Sequence, residues 1–587
     1  MNIQMVLLSF KYLKRTNAAL MFSLLLFLLP CNASELQRLW PDNKMPDSQS
    51  HQTVVISEGA NPLEFNLKED NIAYIKWFDK PAVTNGACIV FISGEEYNTG
   101  CDISMIKSWY GIFSNLGFQC VNLVYRTPRP EGIPFYKTAW EDGQRAVRLI
   151  RNESVKRGFD PEKIGVVSMS AGSHLALLLS TNSQSRSYEP IDKIDSISCH
   201  LNFAIINSPV YVTTDSENGT HAWLQGYGPD VKLSECFHFD NKTCPISLHH
   251  GGADEHSPNG STLIYRQLRR MNIPSELHIY PDMYHGVYGL ECGIEFLRQL
   301  GIMGELSPEE SIMDRYKSDD DRKNVIKQAI WPIGKIPNMQ GHQVIPYIEW
   351  HFPKELKTKS IQIIYSGGAY TNNNPDEFEV APVRRYLNRL GMVVVTLKYR
   401  TPRPKGLPKH ISAWEDLQRA IRVVRSQAAY YGLDSNQIGI MGSSAGGHLT
   451  LMGVTSSLHR SYLPIDEIDN IPCNVQWGIG IYPAYVLTDG INGINTNKGN
   501  NDDDVIVSDF SFDIKTSPML FIHGDADTYS SMGSVKVWER MRSMGIQSEL
   551  HTLALRKHCF QRKANPGTGS YEWLERIADF LRRQKKL

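Results

Sequence analysis

The stretch Ile438-Gly439-Ile440-Met441-Gly442-Ser443-Ser444-Ala445-Gly446-Gly447-His448 passes from an apolar run into a Gly-x-Ser-x-Gly turn. The residues that follow, Leu449 to Met452, are compatible with a helix. This order of strand, sharp turn and helix is typical of a nucleophile elbow, whose central serine exposes its hydroxyl on a strained backbone. Ser444 is therefore a candidate nucleophile, and Gly442 and Gly446 leave space where a Cβ atom would collide.

The same pattern occurs 274 residues earlier, at Ile164-Gly165-Val166-Val167-Ser168-Met169-Ser170-Ala171-Gly172-Ser173-His174. The surroundings are repeated as well: Tyr125-Arg126-Thr127-Pro128 recurs as Tyr399-Arg400-Thr401-Pro402, and Trp140-Glu141-Asp142 recurs as Trp414-Glu415-Asp416. Self-similarity over this length indicates two duplicated domains and not a solenoid, whose repeats span only tens of residues. We predict one domain at 40–303, a charged linker at 304–330 and a second domain at 331–585.

The composition is that of a globular chain, with 41% apolar and 21% charged residues in 587. Each half is long enough to bury a sizeable core. The net charge of −1 gives no indication of nucleic acid or an anionic membrane as a partner.

The N-terminus reads as a secretory signal over residues 1–33. Lys11, Lys14 and Arg15 precede an apolar run from residue 18 to residue 29, and small residues end the segment at Ala33. The run is shorter than the roughly 20 residues that span a bilayer. Lipid attachment at Cys31 is disfavoured because Pro30 precedes it. We therefore expect a secreted or periplasmic protein.

Nine cysteines remain after residue 33, so complete pairing into disulfides is impossible. Cys236 and Cys244 lie in one polar loop and are the local candidates for a bridge. Cys199 and Cys473 occupy equivalent places near a strand start, which favours small core residues.

Short apolar strands alternate with amphipathic helices, as shown by strands at 87–92 and 118–125 and a helix at 139–151. This alternation predicts an α/β fold in which each domain has a mostly parallel sheet with helices on both faces. Ligands of such sheets bind beyond the carboxyl ends of the strands, and Ser170 lies at one of these ends.

A nucleophilic serine needs a base, and the base needs a partner that fixes its tautomer. In the first repeat, Asp254 and His285 each follow a predicted strand beyond Ser170. We predict these three residues as a triad. His249, His250 and Asp282 lie nearby and are interpreted as turn caps or satisfied core groups.

The second repeat offers the same set in the same chain order. Asp527 follows the predicted strand at 518–523, and His558 follows the strand at 548–553. Ser444, Asp527 and His558 are therefore the predicted triad of this repeat.

Both repeats resemble the α/β-hydrolase superfamily. The resemblance rests on the turn Gly367-Gly368-Ala369-Tyr370, on Tyr-Arg-x-Pro, on the helix beginning Trp-Glu-Asp and on the elbow ending at His448. More narrowly, the chain is similar to secreted bacterial carbohydrate esterases of the acetyl-xylan-esterase type, close to the prolyl-oligopeptidase catalytic domain. The resemblance implies hydrolysis of esters on an acetylated carbohydrate through an acyl-enzyme, without a metal or an organic cofactor.

The resemblance also implies an oxyanion hole built from two backbone N–H groups, one after the nucleophile and one in the earlier turn. In the second repeat these groups belong to Ala445 and Gly368. In the first repeat they belong to Ala171 and Glu95.

Each repeat departs from the family pattern at its site. Glu95, Glu96 and Ser168 replace small residues in the first repeat, and a carboxylate beside a developing oxyanion raises the barrier. In the second repeat, Arg556 and Lys557 directly precede the histidine and are expected to weaken it as a base. We expect the second site to be the main one.

Two other interpretations stay open. A prolyl-oligopeptidase-like peptidase is disfavoured because no long β-rich region precedes either repeat. Alternatively, one repeat is a glycan-binding or structural remnant of the duplication.

Overall fold

A computed structural model describes residues 35–41, 44–48, 73–98, 103–214, 231–304, 325–339, 342, 344–374, 379–488, 504–560 and 572–587. The predicted signal at residues 1–33 and most of the predicted linker lie outside these ranges. None of the helices in the described ranges is long and apolar enough to cross a membrane.

The chain forms two compact units whose boundaries differ from those of the sequence repeats. The first unit comprises residues 1–204 and 240–244, and the second comprises residues 205–239 and 245–587. The second unit thus includes the C-terminal part of the first repeat. The predicted bounds of 40–303 and 331–585 describe the two sequence repeats, and they stay a prediction.

The first unit contains the strands β1 (Glu35–Arg38), β2 (Tyr74–Trp77), β3 (Cys88–Ile92), β4 (Gln119–Val124) and β5 (Ile164–Met169). They form a sheet in the order β1-β2-β4-β3-β5. Strand β3 pairs in parallel with β4 and β5, whereas β2 pairs antiparallel with β1 and β4. The helices are α1 (Ile103–Asn115), α2 (Lys137–Arg157) and α3 (Ala171–Thr181).

The C-terminal part of the first repeat contains the next strands and helices. The strands are β6 (Phe203–Asn207), β7 (Thr213–Thr214), β8 (Lys232–Leu233), β9 (Ile246–Gly251) and β10 (Ser275–Tyr280). The helices are α4 (Asn259–Arg270) and α5 (Leu290–Gln299). Strand β9 pairs in parallel with β10.

The remainder of the second unit contains the second repeat. Its strands are β11 (Val325–Ala329), β12 (Tyr347–His351), β13 (Ile361–Tyr365), β14 (Val393–Lys398), β15 (Ile438–Ser443), β16 (Trp477–Ile481), β17 (Leu487–Thr488), β18 (Val505–Ile506), β19 (Met519–Gly524) and β20 (Glu549–Leu553). Its helices are α6 (Ala381–Arg389), α7 (Ile411–Gln427), α8 (Ala445–Thr455), α9 (Met532–Ser543) and α10 (Glu572–Arg583).

Strands of the second unit follow the order β9-β10-β20-β19-β16-β15-β13-β14-β12-β11. Strands β20, β19, β16, β15, β13 and β14 pair in parallel, and β12 and β11 continue the sheet antiparallel. This pattern confirms the predicted mostly parallel α/β architecture. The antiparallel pairing of β10 with β20, with Leu277 opposite Thr552, explains why residues 245–304 belong to this unit.

Helices α6 and α10 cover the sheet of the second repeat. Val383 and Leu387 of α6 and Trp573 of α10 share a buried cluster with Trp477 of β16 and Leu520 of β19. The side chains of a central strand point towards the two faces of the sheet, where helices cover them. The sequences of these strands are therefore nearly continuous apolar runs. Burial of this apolar surface is the main stabilising contribution to the sheet.

The repeated Tyr-Arg-x-Pro and Trp-Glu-Asp motifs meet in a buried ion-pair network. Arg400 Nε lies 3.0 Å from Asp416 Oδ1, and Arg400 Nη2 lies 2.7 Å from Glu415 Oε2. Trp331 Nε1 donates to Asp416 Oδ1 at 2.7 Å. The first unit has the same contacts among Arg126, Glu141, Asp142 and Trp40. Loss of one partner would leave a buried charge unpaired and destabilise the fold. This cost explains why the two motifs occur together in both repeats.

The cysteine predictions had mixed outcomes. Cys199 and Cys473 are buried core residues, with exposures of 2% and 4%, as expected. The prediction of a Cys236–Cys244 bridge is wrong, since both residues are free thiols. Their proximity in sequence did not determine the separation and orientation that a disulfide requires.

Candidate active site

The elbow of the second repeat joins β15 to α8 with Ser444 at its apex. Ser444 has φ 56° and ψ −120°, a backbone region that non-glycine residues rarely adopt. A Cβ atom at Gly442 would lie 2.4 Å from Gly446 O, and one at Gly446 would lie 2.7 Å from Ser366 O. The glycines are therefore required by the close approach of backbone atoms, and the turn projects Ser444 beyond the strand end.

Three residues far apart in the chain converge at this turn. Ser444 Oγ lies 2.7 Å from His558 Nε2. His558 Nδ1 lies 2.8 Å from Asp527 Oδ2 and 3.0 Å from Oδ1. The structure thus brings together all three residues predicted for this repeat, in the order hydroxyl, imidazole and carboxylate. This geometry lets His558 accept the proton of Ser444 while Asp527 fixes the imidazole tautomer.

Asp527 is held in its charged form by several donors. The backbone N–H of Tyr529 donates to Oδ1 at 2.8 Å, and His523 Nε2 lies 3.4 Å from Oδ2. Burial works to raise the pKa of Asp527, but hydrogen bonds from His523 and His558 outweigh it and lower the pKa to about 2. The carboxylate therefore stays ionised at neutral pH and stabilises a positive charge on His558.

The predicted oxyanion donors occupy the expected elements. Ala445 is the first residue of α8, where backbone N–H groups have no acceptor within the helix. Gly368 lies in the turn after β13 with φ 87°. A Cβ atom at the preceding Gly367 would lie 2.8 Å from Ser444 Cβ, so this turn closely approaches the nucleophile. Tyr399 OH donates to Gly367 O at 2.7 Å and holds the turn.

Glu379 is a buried carboxylate beside this turn that the sequence analysis missed. Gly367 N–H donates to Glu379 Oε2 at 2.8 Å, and Tyr482 OH donates to Glu379 Oε1 at 3.0 Å. The Tyr482 ring contacts the His558 ring edge to face, with centroids 4.9 Å apart. Glu379 thus connects the turn at Gly367 to Tyr482, the ring that packs against His558. In the first repeat, the residue 274 positions earlier is Met105, so the repeat pattern gave no signal for it.

The Glu379→Ala variant is expected to lower kcat/KM of the second site by about tenfold to a hundredfold. The change leaves Gly367 N–H and Tyr482 OH without this acceptor, at a cost of about 1–3 kcal/mol for a buried group. Kinetics with p-nitrophenyl acetate in a Ser170→Ala background would measure the loss. Glu379→Gln, which keeps an acceptor oxygen, is the matched control and should stay within about threefold of the parent. An equal loss in both variants would contradict a role as acceptor.

Arg556, one of the two cations that precede His558, has a carboxylate nearby. Arg556 Nη2 lies 3.8 Å from Glu295 Oε1, and the Glu295 side chain is almost fully buried. Burial raises the pKa of Glu295, and in its ionised form the carboxylate offsets part of the charge of Arg556.

The elbow of the first repeat has the same local geometry in the first unit. Ser170 has φ 57° and ψ −128°, and Ala171 is the first residue of α3. A Cβ atom at Gly94 would lie 2.6 Å from Ser170 Cβ. Glu95 begins a short helical turn, Glu95–Tyr97, but its side chain lies outside the described residues. Glu96 is exposed, with φ 55°.

Asp254 and His285 form the expected acid–base pair in the second unit. His285 Nδ1 lies 2.9 Å from Asp254 Oδ2, and His250 Nε2 lies 3.2 Å from the same oxygen. Burial works to raise the pKa of Asp254, but hydrogen bonds from His250 and His285 lower it below its usual range. Ser170 belongs to the first unit, whereas Asp254 and His285 belong to the second.

The serine that replaces the first elbow glycine, Ser168, has a different strand neighbour from Gly442. A Cβ atom at Gly442 would lie 2.6 Å from the Tyr365 ring. In the first unit, Ile92 pairs with Ser168 as Tyr365 pairs with Gly442. Ile92 thus takes the place of the tyrosine whose ring approaches Gly442, and Ser168 Oγ lies 3.0 Å from Ser173 Oγ.

Sequence comparison places a family segment in each repeat. The BD-FAE family model matches residues 78–220 and 348–478. The chain is also similar to endo-1,4-beta-xylanase B of Butyrivibrio fibrisolvens, with 29% identity over 123 residues, 21% of this chain and 19% of that protein. A probable carboxylic ester hydrolase of Mycobacterium tuberculosis, LipM, is 30% identical over 142 residues, 24% of this chain and 31% of that protein. The match therefore spans less than a third of either relative.

Solved hydrolase structures align with slightly less than half of the chain. Esterase 2 of Thermogutta terrifontis in its apo form has a TM-score of 0.37 and 22% identity, and the alignment covers 45% of this chain and 96% of that chain. An acetyl ester-xyloside bifunctional hydrolase from Caldicellulosiruptor lactoaceticus has a TM-score of 0.34 and 22% identity, with coverage of 47% and 99%. The parallel sheet, the two elbows and a BD-FAE segment in each repeat together show an α/β-hydrolase fold.

Proposed function

We propose that the protein is a secreted serine esterase that removes acyl groups, acetyl groups foremost, from a polysaccharide or oligosaccharide. The observation that carries the proposal is the continuous hydrogen-bonded chain from Ser444 through His558 to Asp527. The similarity to carboxylic ester hydrolases supports an ester as the substrate, and the similarity to a xylanase supports a glycan as its carrier. The signal-like N-terminus supports secretion.

In the first half-reaction, His558 Nε2 takes the Ser444 proton while Ser444 Oγ attacks the ester carbonyl carbon. Asp527 stabilises the resulting imidazolium without itself becoming protonated. The oxyanion accepts hydrogen bonds from Ala445 N–H and from the turn at Gly368. Because Gly367 N–H already donates to Glu379, Gly368 supplies the remaining donor of the turn.

Collapse of the tetrahedral intermediate breaks the bond to the sugar oxygen, which leaves as the alcohol after receiving the proton from His558. The acyl group then remains on Ser444 Oγ. His558 next removes a proton from water, the hydroxyl oxygen attacks the acyl carbonyl, and Ser444 recovers its proton as the carboxylic acid departs. The Ser444 proton thus leaves on the sugar alcohol, a proton of water replaces it, and His558 is neutral again at the end of each half-reaction.

Acetate release from an acetylated xylan oligosaccharide by the full chain tests the substrate. We expect release by the parent protein and none by the Ser170→Ala/Ser444→Ala double variant, with p-nitrophenyl acetate as a control ester. Turnover of the control ester without acetate release from any acetylated glycan would contradict the carbohydrate substrate. Release of fragments from a proline-containing peptide would instead favour a peptidase.

A further inference from the structure

A second cluster of ligand-type side chains lies beside the second active site. His410 precedes the first turn of α7, His448 lies in α8 four residues after Ser444, and Asp509 follows β18. One ligand atom from each residue lies within 4.8 Å of the other two. The triad uses none of these three residues, so the cluster needs a separate explanation.

Two of the separations in this cluster match those around a tetrahedral metal ion. Asp509 Oδ2 lies 3.2 Å from His448 Nε2 and 3.4 Å from His410 Nδ1. Ligand atoms bound at about 2.0–2.1 Å in a tetrahedral zinc site are about 3.3 Å from one another. A single cation could therefore contact both histidines and the carboxylate after only small side-chain movements.

The two histidines are arranged to present nitrogen lone pairs. His448 is fully buried, and its Nδ1 lies 2.9 Å from Tyr370 OH, which leaves Nε2 towards Asp509. An outer hydrogen bond of this kind fixes the ring of a metal-binding histidine. His410 Nδ1 is buried and has no hydrogen-bond partner in the described part of the chain. An unsatisfied buried nitrogen is costly, and a metal ion would satisfy it.

The cluster opens into a cavity of about 400 Å³. His410 and Asp509 line it together with Arg403 and Lys409. Two histidines and one carboxylate leave coordination positions open, and the cavity offers space for water or for an oxygen of a substrate there.

We propose that His410, His448 and Asp509 form a binding site for a divalent transition-metal ion of the zinc class, with an open coordination position towards this cavity. The site is specific to the second repeat. In the first unit, Tyr136 stands where His410 stands, and its ring packs on His174 with centroids 5.4 Å apart. The proposal does not depend on the esterase activity.

Lys409 is a positively charged residue of this cavity and disfavours the binding of a metal ion. Its Nζ lies 4.0 Å from the centre of the Tyr485 ring, and its ammonium interacts electrostatically with Asp509. A like charge near the site lowers metal affinity through Coulomb repulsion. The Lys409→Met variant is therefore expected to bind the metal about tenfold more tightly than the parent.

Titration of the full chain with Co²⁺ after treatment with a chelator tests the site. Visible absorption of tetrahedral Co²⁺ and its loss on addition of Zn²⁺ report binding without reference to activity. The Asp254–His256–His285 group could also hold a metal, and it supplies the matched control. His410→Tyr copies Tyr136 of the first repeat, whereas His256→Tyr copies Tyr529 of the second.

We expect His410→Tyr to remove one equivalent of bound metal and His256→Tyr to leave that equivalent in place. Circular dichroism and the thermal midpoint would verify that both variants are folded. Absence of binding to the parent protein would overturn the proposal. Unchanged binding in His410→Tyr, or loss of the metal in His256→Tyr alone, would overturn it as well.

Discussion

The Ser444→Ala variant, made in a Ser170→Ala background, is expected to lower kcat for p-nitrophenyl acetate by about 10⁴-fold or more. The variant has no nucleophile to form the acyl-enzyme, and only substrate binding and the oxyanion donors remain to assist attack by water. The 2.7 Å contact between Ser444 Oγ and His558 Nε2 is the structural basis of this expectation. Initial rates of p-nitrophenol release measure the effect.

The single variants provide the controls for this experiment. Ser170→Ala alone should retain the activity of the second site, and Ser444→Ala alone should reveal whatever the first repeat contributes. Labelling by a fluorophosphonate, followed by peptide mapping, would count the reactive serines in each variant. Undiminished turnover in the double variant would exclude both serines as nucleophiles and with them the proposed mechanism.

The Asp527→Asn variant is expected to lower kcat of the second site by about 10⁴-fold with little change in the fold. The carboxylate accepts the Nδ1 proton of His558, whereas an amide can donate to Nδ1 and favour the tautomer whose Nε2 already carries a proton. That tautomer cannot accept the proton of Ser444. Steady-state kinetics in the Ser170→Ala background measures the loss.

Asp525 offers a matched control two residues away on the same loop. It pairs with Arg269 at 2.8 Å and has no contact with His558 among the described residues. Asp525→Asn is therefore expected to lower the thermal midpoint while leaving kcat nearly unchanged. An Asp527→Asn enzyme that keeps more than about a tenth of the parental kcat would show that Asp527 does not set the tautomer of His558.

The parts of the site that could be predicted are those carried by local patterns. The strand, turn and helix around Ser444 appear within eleven consecutive residues, and the sharp turn needs glycine at fixed positions. Asp527 and His558 follow strands that are parallel in the sheet, so their loops lie at the same edge. The repetition of each pattern in both halves reinforced these predictions.

Contacts between distant residues outside these local patterns could not be predicted in this way. Glu379 and Tyr482 are 103 residues apart, and neither belongs to a motif. The approach of His410 and Asp509 to His448, and the pairing of β10 with β20 that sets the boundary between the two units, were likewise not predicted. The sequence by itself determined the parallel α/β architecture, the duplication and the triad candidates, because periodicity and turn chemistry act over short stretches. Only the tertiary structure decided which other side chains meet, because those contacts depend on how helices and strands pack in space.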